Sequence, residues 1–243
     1  MKRILTTLSQ KWPEYLLEII VITIGILGAY ALNNWNDFRK EREQEQQFLV
    51  RLSEDLGKDL KAIQASLNSV EKRKKRAEFL MRSIEYPLLV EKDPHYFITS
   101  IEFAGYTQKP TISSHTFEEI KSSGRLSTIR NVELRKDLAS YYDAFEHRSQ
   151  YAFIGQDIQL QYINLHYGIL SPEQQIEMGN FTLNIKYELE DALPAYERFL
   201  KNKEFIDWLP IVLQSKTRSI LVKQGQIKGV TKLKEMVKAE LKK

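Results

Sequence analysis

An uncharged apolar stretch near the amino terminus constrains this chain more than any other feature of its sequence. From Ile19 to Leu32 the sequence reads IIVITIGILGAYAL, without a charged residue. Counted from Pro13 to Trp35, the segment as a helix is long enough to cross the roughly 30 Å hydrocarbon core of a bilayer. A soluble helix of this length normally keeps one polar face, which this stretch lacks. The sequence therefore predicts a transmembrane helix.

Aromatic residues flank the apolar stretch on both sides and support this interpretation. Tryptophan and tyrosine are enriched at the headgroup level of membranes. We therefore predict four interface anchors, which are Trp12, Tyr15, Tyr30 and Trp35. A cleaved signal peptide is the alternative, because Ala29-Tyr30-Ala31 has the pattern of a cleavage site and Lys2 and Arg3 begin the chain. The long region before the apolar run and the acid within it favour the transmembrane helix.

Four residues of the span are candidates for packing against another helix. Glu18 lies at the start of the apolar run, where it either reaches the headgroups or contacts a partner helix or an ion path. Gly25 and Ala29 have the small-x-x-x-small spacing that lets two helices approach closely, and Gly28 lies beside them. The expected partners are membrane lipid and either another membrane protein or a second copy of the chain.

The orientation of the span is not decided by charge, because three basic residues lie on each side of it. A short amino-terminal tail usually stays in the cytoplasm while the large domain is exported. We expect a single-pass protein of the bacterial inner membrane with a periplasmic domain.

A long charged helix follows the span directly. From Asn33 to Tyr86 the sequence contains no proline and only one glycine, Gly57. Apolar residues recur every seven positions, at Leu49, Leu56, Ile63, Val70, Ala77 and Ile84. Asp59, Ser66 and Arg73 interrupt the companion positions of this seam. The pattern favours one helix of an antiparallel bundle over a two-stranded coiled coil. Residues 37–85 would extend about 73 Å.

The remaining chain predicts further helices and no strands. Pro87 ends the long helix, and residues 86–113 are predicted as a loop with at most a short helix near Tyr96–Phe103. Thr116 and Glu119 fit a capping box, Asn131 fits a second helix start, and Ser171-Pro172 fits a third. The expected fold is all-α: an amino-terminal transmembrane helix that continues into a long helix, with an extramembrane antiparallel helical bundle.

This reading divides the chain into five parts. They are a basic tail (1–12), the transmembrane helix and interface (13–36), the long heptad-like helix (37–86), a loop region (87–115) and the remaining bundle helices with a basic carboxyl-terminal helix (116–243).

Two segments resemble a bacterial family of unknown function. EIIVITIGILGAYALNNWNDFRKEREQE from Glu18, followed by FLVRLSEDLGKDL from Phe48, resembles the first conserved region of a family of single-span proteins frequent in Bacteroidota. TFEEIKSSGRLSTIRNVELRKDLASYY from Thr116 is similar to its second region. The chain departs from the family pattern at Gly28 and Tyr30. The resemblance implies an inner-membrane anchor and an exported helical domain, and it implies no activity.

The sequence offers little chemistry. The chain has no cysteine, and its four histidines show no metal-ligand spacing. No nucleophile, phosphate-binding or dinucleotide-binding motif is present, so we expect no enzymatic activity, no cofactor and no metal. Lys72 to Arg76 are five consecutive cations, which on a helix spread around the circumference. We interpret them as a solvated segment and expect no nucleic-acid partner.

The carboxyl-terminal helix is basic and amphipathic. From Lys223 onward there are seven lysines against two acids, interleaved with apolar residues. Such a helix contacts anionic lipid or an acidic partner, or simply presents a solvated face. The candidate contact residues are Lys228, Lys232, Lys234, Lys238 and Lys242.

Aromatic residues concentrate between Tyr141 and Tyr167. Core packing is the main interpretation, and a ligand pocket between helices is the alternative. The sequence favours a non-enzymatic membrane-anchored interaction or scaffold protein, with a small-ligand sensor as the second hypothesis and an exported enzyme as the third.

Overall fold

The computed structural model describes the backbone of residues 2–147, 149–180 and 185–243, and the side chains of these residues except 2–11, 146–147 and 149–153. The described part is helical and contains no strand. Its α-helices are α1 (Lys2–Glu85), α2 (Leu88–Lys92), α3 (Pro94–Phe103), α4 (His115–Ser122), α5 (Val132–His147), α6 (Ser149–His166), α7 (Pro172–Gly179), α8 (Leu189–Lys201) and α9 (Lys203–Leu241); a short 3₁₀ helix covers Arg125–Thr128. The predicted all-α class is confirmed.

The span and the first bundle helix form one element, α1, of 84 residues. The helix continues because the chain after Pro13 offers neither proline nor a glycine-rich break until Pro87. Its seven-residue apolar positions from Leu49 to Ala77 are buried, and Ile84 is half-buried. The helix ends at Glu85, as the position of Pro87 predicts.

Helix α9 packs antiparallel along α1, and two core clusters form where they meet. In the proximal cluster, nearer the span, Phe48–Ile63 of α1 meets Val230–Val237 of α9, with α4 and α5 covering them. In the distal cluster, Ala77 and Leu80 meet Phe205–Val212, with α3, α6 and α8 around them. The bundle is thus antiparallel, as the seam predicts.

Three helix starts can be compared with the sequence. The side chain of Asn131 accepts a hydrogen bond from Leu134 N at 3.0 Å, and Ser171 forms a capping box with Gln174, as predicted. The capping box at Thr116 is wrong, because α4 begins after Ser114, and the Thr116 hydroxyl donates instead to Asp55.

The segment predicted as a loop with at most a short helix near Tyr96–Phe103 contains that helix and one more. It contains α2 and α3, and α3 is stabilised at its start by the side chain of Asp93, which accepts a hydrogen bond from Tyr96 N at 2.8 Å. Phe97, Ile98 and Ile101 of α3 are fully buried in the distal cluster. Tertiary burial therefore stabilises helix between prolines that suggested a loop.

Candidate functional site

The apolar part of α1 is exposed along its whole length. Every residue from Trp12 to Trp35 is exposed, and within the described residues this is the one helix long and apolar enough to cross a membrane. The predicted anchors Trp12, Tyr15, Tyr30 and Trp35 are all exposed at its two ends. A free apolar helix surface of this size is what a membrane span presents to lipid or to another helix. The inner membrane and the periplasmic side stay predictions.

The candidate packing residues of the span share one side of the helix. Glu18, Gly25 and Ala29 are separated by seven and four residues, so they lie on one face, and Gly28 lies next to Gly25 one turn away. A methyl group added at Gly25 or Gly28 would meet nothing within 4 Å. This face is therefore accessible to a second helix, and the contact itself stays a prediction.

The span joins the bundle within about three helical turns. The guanidinium of Arg130 lies over the ring of Phe38, 4.0 Å from its centre. Glu45 is fully buried, accepts a hydrogen bond from Arg130 N at 2.7 Å and forms an ion pair with Arg42. These contacts fix α1 to the loop before α5 about 15 Å beyond Trp35.

The polar interruptions of the α1 seam hold the connection between α3 and α4. Asp59 accepts hydrogen bonds from Ser113 N at 2.6 Å and from the Tyr141 hydroxyl at 2.9 Å. One and two heptads further on, Ser66 donates to the carbonyl of Gln108 at 3.1 Å and Arg73 to that of Tyr106 at 3.2 Å. The polar residues in the seam therefore have a structural role. They supply hydrogen-bond partners to an irregular backbone segment that would otherwise be buried without them.

A second buried carboxylate, one turn before Asp59, belongs to the same system. Asp55 accepts from the hydroxyl of Thr116 at 2.6 Å and from Lys58 at 3.2 Å. Burial acts to raise the pKa of Asp55, but these hydrogen bonds outweigh it and lower the pKa. Burial raises the pKa of Asp59 despite its hydrogen bonds, and the charge of Asp55 acts in the same direction.

Cations from α1 and α9 lie between the two core clusters. The Lys216 ammonium donates to the carbonyls of Gly105 at 2.9 Å and Tyr106 at 2.7 Å. Burial lowers the pKa of Lys216 to about 7, and the charge of Arg73 adds to this effect. Lys223, two turns further along α9, is 7% exposed, and its pKa is lowered by the same two causes.

The five consecutive cations of α1 therefore do not form one solvated segment. Lys72 and Lys75 are exposed, whereas Arg73 and Arg76 are half-buried on the inner side of the helix. Arg76 donates to Thr99 at 2.8 Å and lies over the ring of Tyr96, 4.7 Å from its centre. The prediction of a fully solvated run is wrong for these two arginines, because a helix turns some of any five consecutive residues inward.

A histidine–carboxylate pair lies beside the distal cluster. His166 Nδ1 lies 2.8 Å from the Ile163 carbonyl oxygen, and Nε2 lies 3.2 Å from a carboxylate oxygen of Glu102. Tyr106 donates to the other oxygen of Glu102. Burial lowers the pKa of His166, against the charge of Glu102. The fully buried Tyr162 ring packs over Gly105, where a methyl group would overlap it.

The basic carboxyl-terminal helix has its apolar side occupied. Val230, Leu233 and Val237 are buried in the proximal cluster, so this side cannot insert into lipid. Among the predicted lysines, Lys232 pairs with Asp137 at 2.7 Å and Lys234 is half-buried near Gly57. The others, Lys228, Lys238 and Lys242, are exposed. Their contact with lipid or an acidic partner stays a prediction.

The aromatic side chains described between Tyr141 and Tyr162 pack in or against the core. Tyr142 stacks on Phe117 at 4.7 Å between ring centres, and Tyr141 meets Phe145 edge-on at 5.1 Å. Tyr167 is exposed, and the side chains of Tyr151 and Phe153 lie outside the described residues. These contacts agree with core packing.

The described structure has open grooves beside α1 and no clustered metal ligands. No group of three or more histidine, aspartate or glutamate side chains there is arranged to hold a metal ion. Two open grooves lie beside α1, one lined by Lys75, Glu78, Phe79, Met81, Arg82, Tyr96 and Leu213, the other by Glu71, Lys74, Lys75, Glu78 and Ile220.

Comparison with known proteins identifies the family. The model of a family of unknown function, DUF6090, matches residues 18–203, which is more than half of the chain. No curated protein and no solved structure matches the chain. The chain therefore belongs to the DUF6090 family, which confirms the predicted family of unknown function.

Proposed function

We propose that this DUF6090 protein is a non-enzymatic membrane-anchored interaction protein that links a partner in the bacterial inner membrane to contacts made by its periplasmic helical bundle. One observation carries the proposal: the exposed apolar span and the buried first helix of the bundle are a single helix, α1. Because no flexible linker separates them, a displacement or rotation of the span is passed to the bundle.

The membrane contact is assigned to the face of Glu18, Gly25 and Ala29. Small side chains let two helices approach closely, and an acid at the start of the span is favoured by a polar partner. The partner is a second copy of the chain or another membrane protein.

Cysteine crosslinking tests this face, because the natural chain contains no cysteine. Ala29→Cys places a thiol on the proposed face, and Ala31→Cys places one about 200° around the same helix. We expect Ala29→Cys to give a crosslinked species in native membranes and Ala31→Cys to give none. The mass of that species distinguishes a second copy from another protein. Equal crosslinking at both positions, or none at either, contradicts the assigned face.

Helix continuity is tested separately by Asn34→Pro, which kinks or breaks α1 between span and bundle. Spin labels placed at exposed sites on either side, for example at Ala31 and Val50, should show a narrow distance distribution in the parent and a broad one in the proline variant. A broad distribution in the parent would show that the span and the bundle move independently.

The orientation of the domain is tested at an exposed position of α9. Lys228→Cys should react with a membrane-impermeant maleimide in intact spheroplasts, because we place the bundle in the periplasm. Labelling only after lysis would place the bundle in the cytoplasm.

A further inference from the structure

Helix α8 exposes a row of leucines on the outside of the distal cluster. Leu189, Leu193 and Leu200 are 38%, 46% and 40% exposed. Their spacings of four and seven residues place them on one side of the helix, next to the buried Tyr196. We call these three residues the α8 leucine stripe. An exposed apolar row of this kind is typical of a surface that another molecule covers.

The end of α1 adds exposed apolar side chains near this helix. The Tyr196 hydroxyl donates to the carbonyl of Ser83 at 2.7 Å, and α8 packs beside α2. Tyr86 and Leu88, at the junction of α1 and α2, are more than half exposed. Apolar surface is therefore available on two neighbouring elements at this end of the bundle.

The charge around the α8 leucine stripe is negative. Glu190 and Glu197 lie seven residues apart beside the stripe, both are exposed, and within the described part of the chain neither forms an ion pair. Helices α7 and α8 together carry five acids and two bases. Of these bases, Arg198 donates to the carbonyl of Ile169 at 2.7 Å, and Lys201 is exposed at the end of α8. An occupant of the stripe therefore meets unpaired carboxylates.

The position of the stripe along the molecule excludes two occupants. Ser83, the acceptor for Tyr196, lies about 70 Å beyond Trp35 along α1, so the bilayer that holds the span does not reach α8. A second copy in the same membrane presents its own stripe at the same level, where Glu190 and Glu197 of both copies repel each other. The chemistry that fits is a different protein of opposite charge.

We propose that the α8 leucine stripe binds a basic amphipathic helix of another protein. The stripe is about 17 Å long, which accommodates three turns of a helix with apolar residues three and four positions apart. Lysine or arginine of that helix lies beside Glu190 and Glu197, and this opposite charge favours and orients the basic partner. The proposal rests on the linking function proposed above, for which it identifies the outer contact.

The test uses the full-length chain in its native membranes, labelled at one introduced cysteine with a benzophenone maleimide. The natural chain contains no cysteine. Lys201→Cys places the photoreactive group beside Leu200 and leaves the leucines and glutamates intact. Gln224→Cys, the control, places it near the exposed Leu221, on a stretch of α9 without acids. After irradiation the crosslinked segment is sequenced by mass spectrometry.

We expect Lys201→Cys to crosslink a segment of another protein that contains lysine or arginine and apolar residues three or four positions apart. Gln224→Cys should not crosslink it. Adding Glu197→Lys should lower the yield at least about threefold, because the reversed charge repels a basic partner. Glu54→Lys makes the same change at an exposed position of α1 and should leave the yield unchanged. Leu193→Ser should lower the yield through the lost apolar contact.

Several results would overturn the proposal. They are a crosslink from Lys201→Cys to a second copy of the chain, to lipid or to an acidic segment, an equal crosslink from Gln224→Cys, a yield that Glu197→Lys or Leu193→Ser leaves unchanged, and no crosslink at all. Failure of the linking function itself gives a different result. In that case Ala29→Cys in the span gives no crosslink, whereas an error confined to this surface leaves the Ala29→Cys crosslink intact.

Discussion

Buried acids and buried bases lie on the same pair of helices, but the fold compensates them differently. Asp55 and Asp59 each accept at least two hydrogen bonds, from residues between Lys58 and Tyr141. Lys216 and Arg73 share one backbone carbonyl, that of Tyr106, and Lys216 also donates to that of Gly105. The acids therefore connect distant segments through side chains and backbone N–H groups, whereas Arg73 and Lys216 are compensated by backbone carbonyls alone.

The contrast between buried acids and buried bases is tested most strongly at Lys216, by the pH dependence of the free energy of unfolding. Its pKa is about 7 in the folded chain against 10.5 in the unfolded chain, so between these values the unfolded state binds one more proton. Stability of the parent should therefore rise with pH by about 1.4 kcal/mol per unit from pH 7 to about 10, relative to Lys216→Met.

The measurement is chemical unfolding of both proteins at matched pH values. Below pH 7 the difference between them should stay constant, because Lys216 is then protonated in both states. A difference that does not change across the alkaline range would mean that the ammonium is as well compensated as the acids.

Asp59→Ala should give the next largest effect. It leaves the Ser113 N–H and the Tyr141 hydroxyl buried without their acceptor, and we expect a loss of about 2 to 4 kcal/mol in the free energy of unfolding. Glu54→Ala, an exposed acid on the same helix, should change it by less than about 0.5 kcal/mol. Similar losses in the two variants would remove the distinction between connecting acids and ordinary ones.

Asp55→Asn tests the buried acids through the pH dependence of the free energy of unfolding. The pKa of Asp55 is lowered in the folded chain, so its ionised form stabilises the fold above the unfolded value of 3.8. We expect the variant to lose about 1 kcal/mol near pH 7. This difference from the parent should shrink as the pH falls through the pKa of Asp55 in the folded chain. Denaturant titrations of both proteins at a series of acid pH values measure it. A gap that widens in acid would reverse the assigned sign.

The smallest effects are expected within the run of five cations. Arg73→Gln removes one of the two donors to the Tyr106 carbonyl, and the other donor, Lys216, remains. We therefore expect a loss of about 1 kcal/mol or less in the free energy of unfolding. Lys72→Gln at the exposed neighbour should change stability by less than about 0.5 kcal/mol. Thermal unfolding of both variants in one buffer distinguishes them; equal effects would show that the inward position of Arg73 has no energetic consequence.

Several features were predictable because they depend on local sequence. The apolar run and its aromatic flanks predict an exposed span, the seven-residue repeat predicts a buried face of α1, and Pro87 predicts its end. The helix starts at Asn131 and Ser171 followed from the capping chemistry of their own side chains. Each of these signals acts within one or two helical turns.

Other features depended on which segments meet. Nothing local indicates that Thr116 donates to Asp55 rather than capping its own helix, or that α2 forms directly after Pro87. The polar positions Asp59, Ser66 and Arg73 are regularly spaced, so their common face was visible, but their partners were not.

The sequence by itself determined an all-α protein of the DUF6090 family with one helix able to span a membrane, because hydrophobic run length and periodicity are properties of neighbouring residues. Only the tertiary structure decided that the apolar side of the basic α9 covers α1, and that Arg73 and Lys216 meet at the carbonyl of Tyr106. Residues 73 and 216 are far apart in the chain, and their proximity arises from the antiparallel alignment of two long helices, which no local pattern specifies.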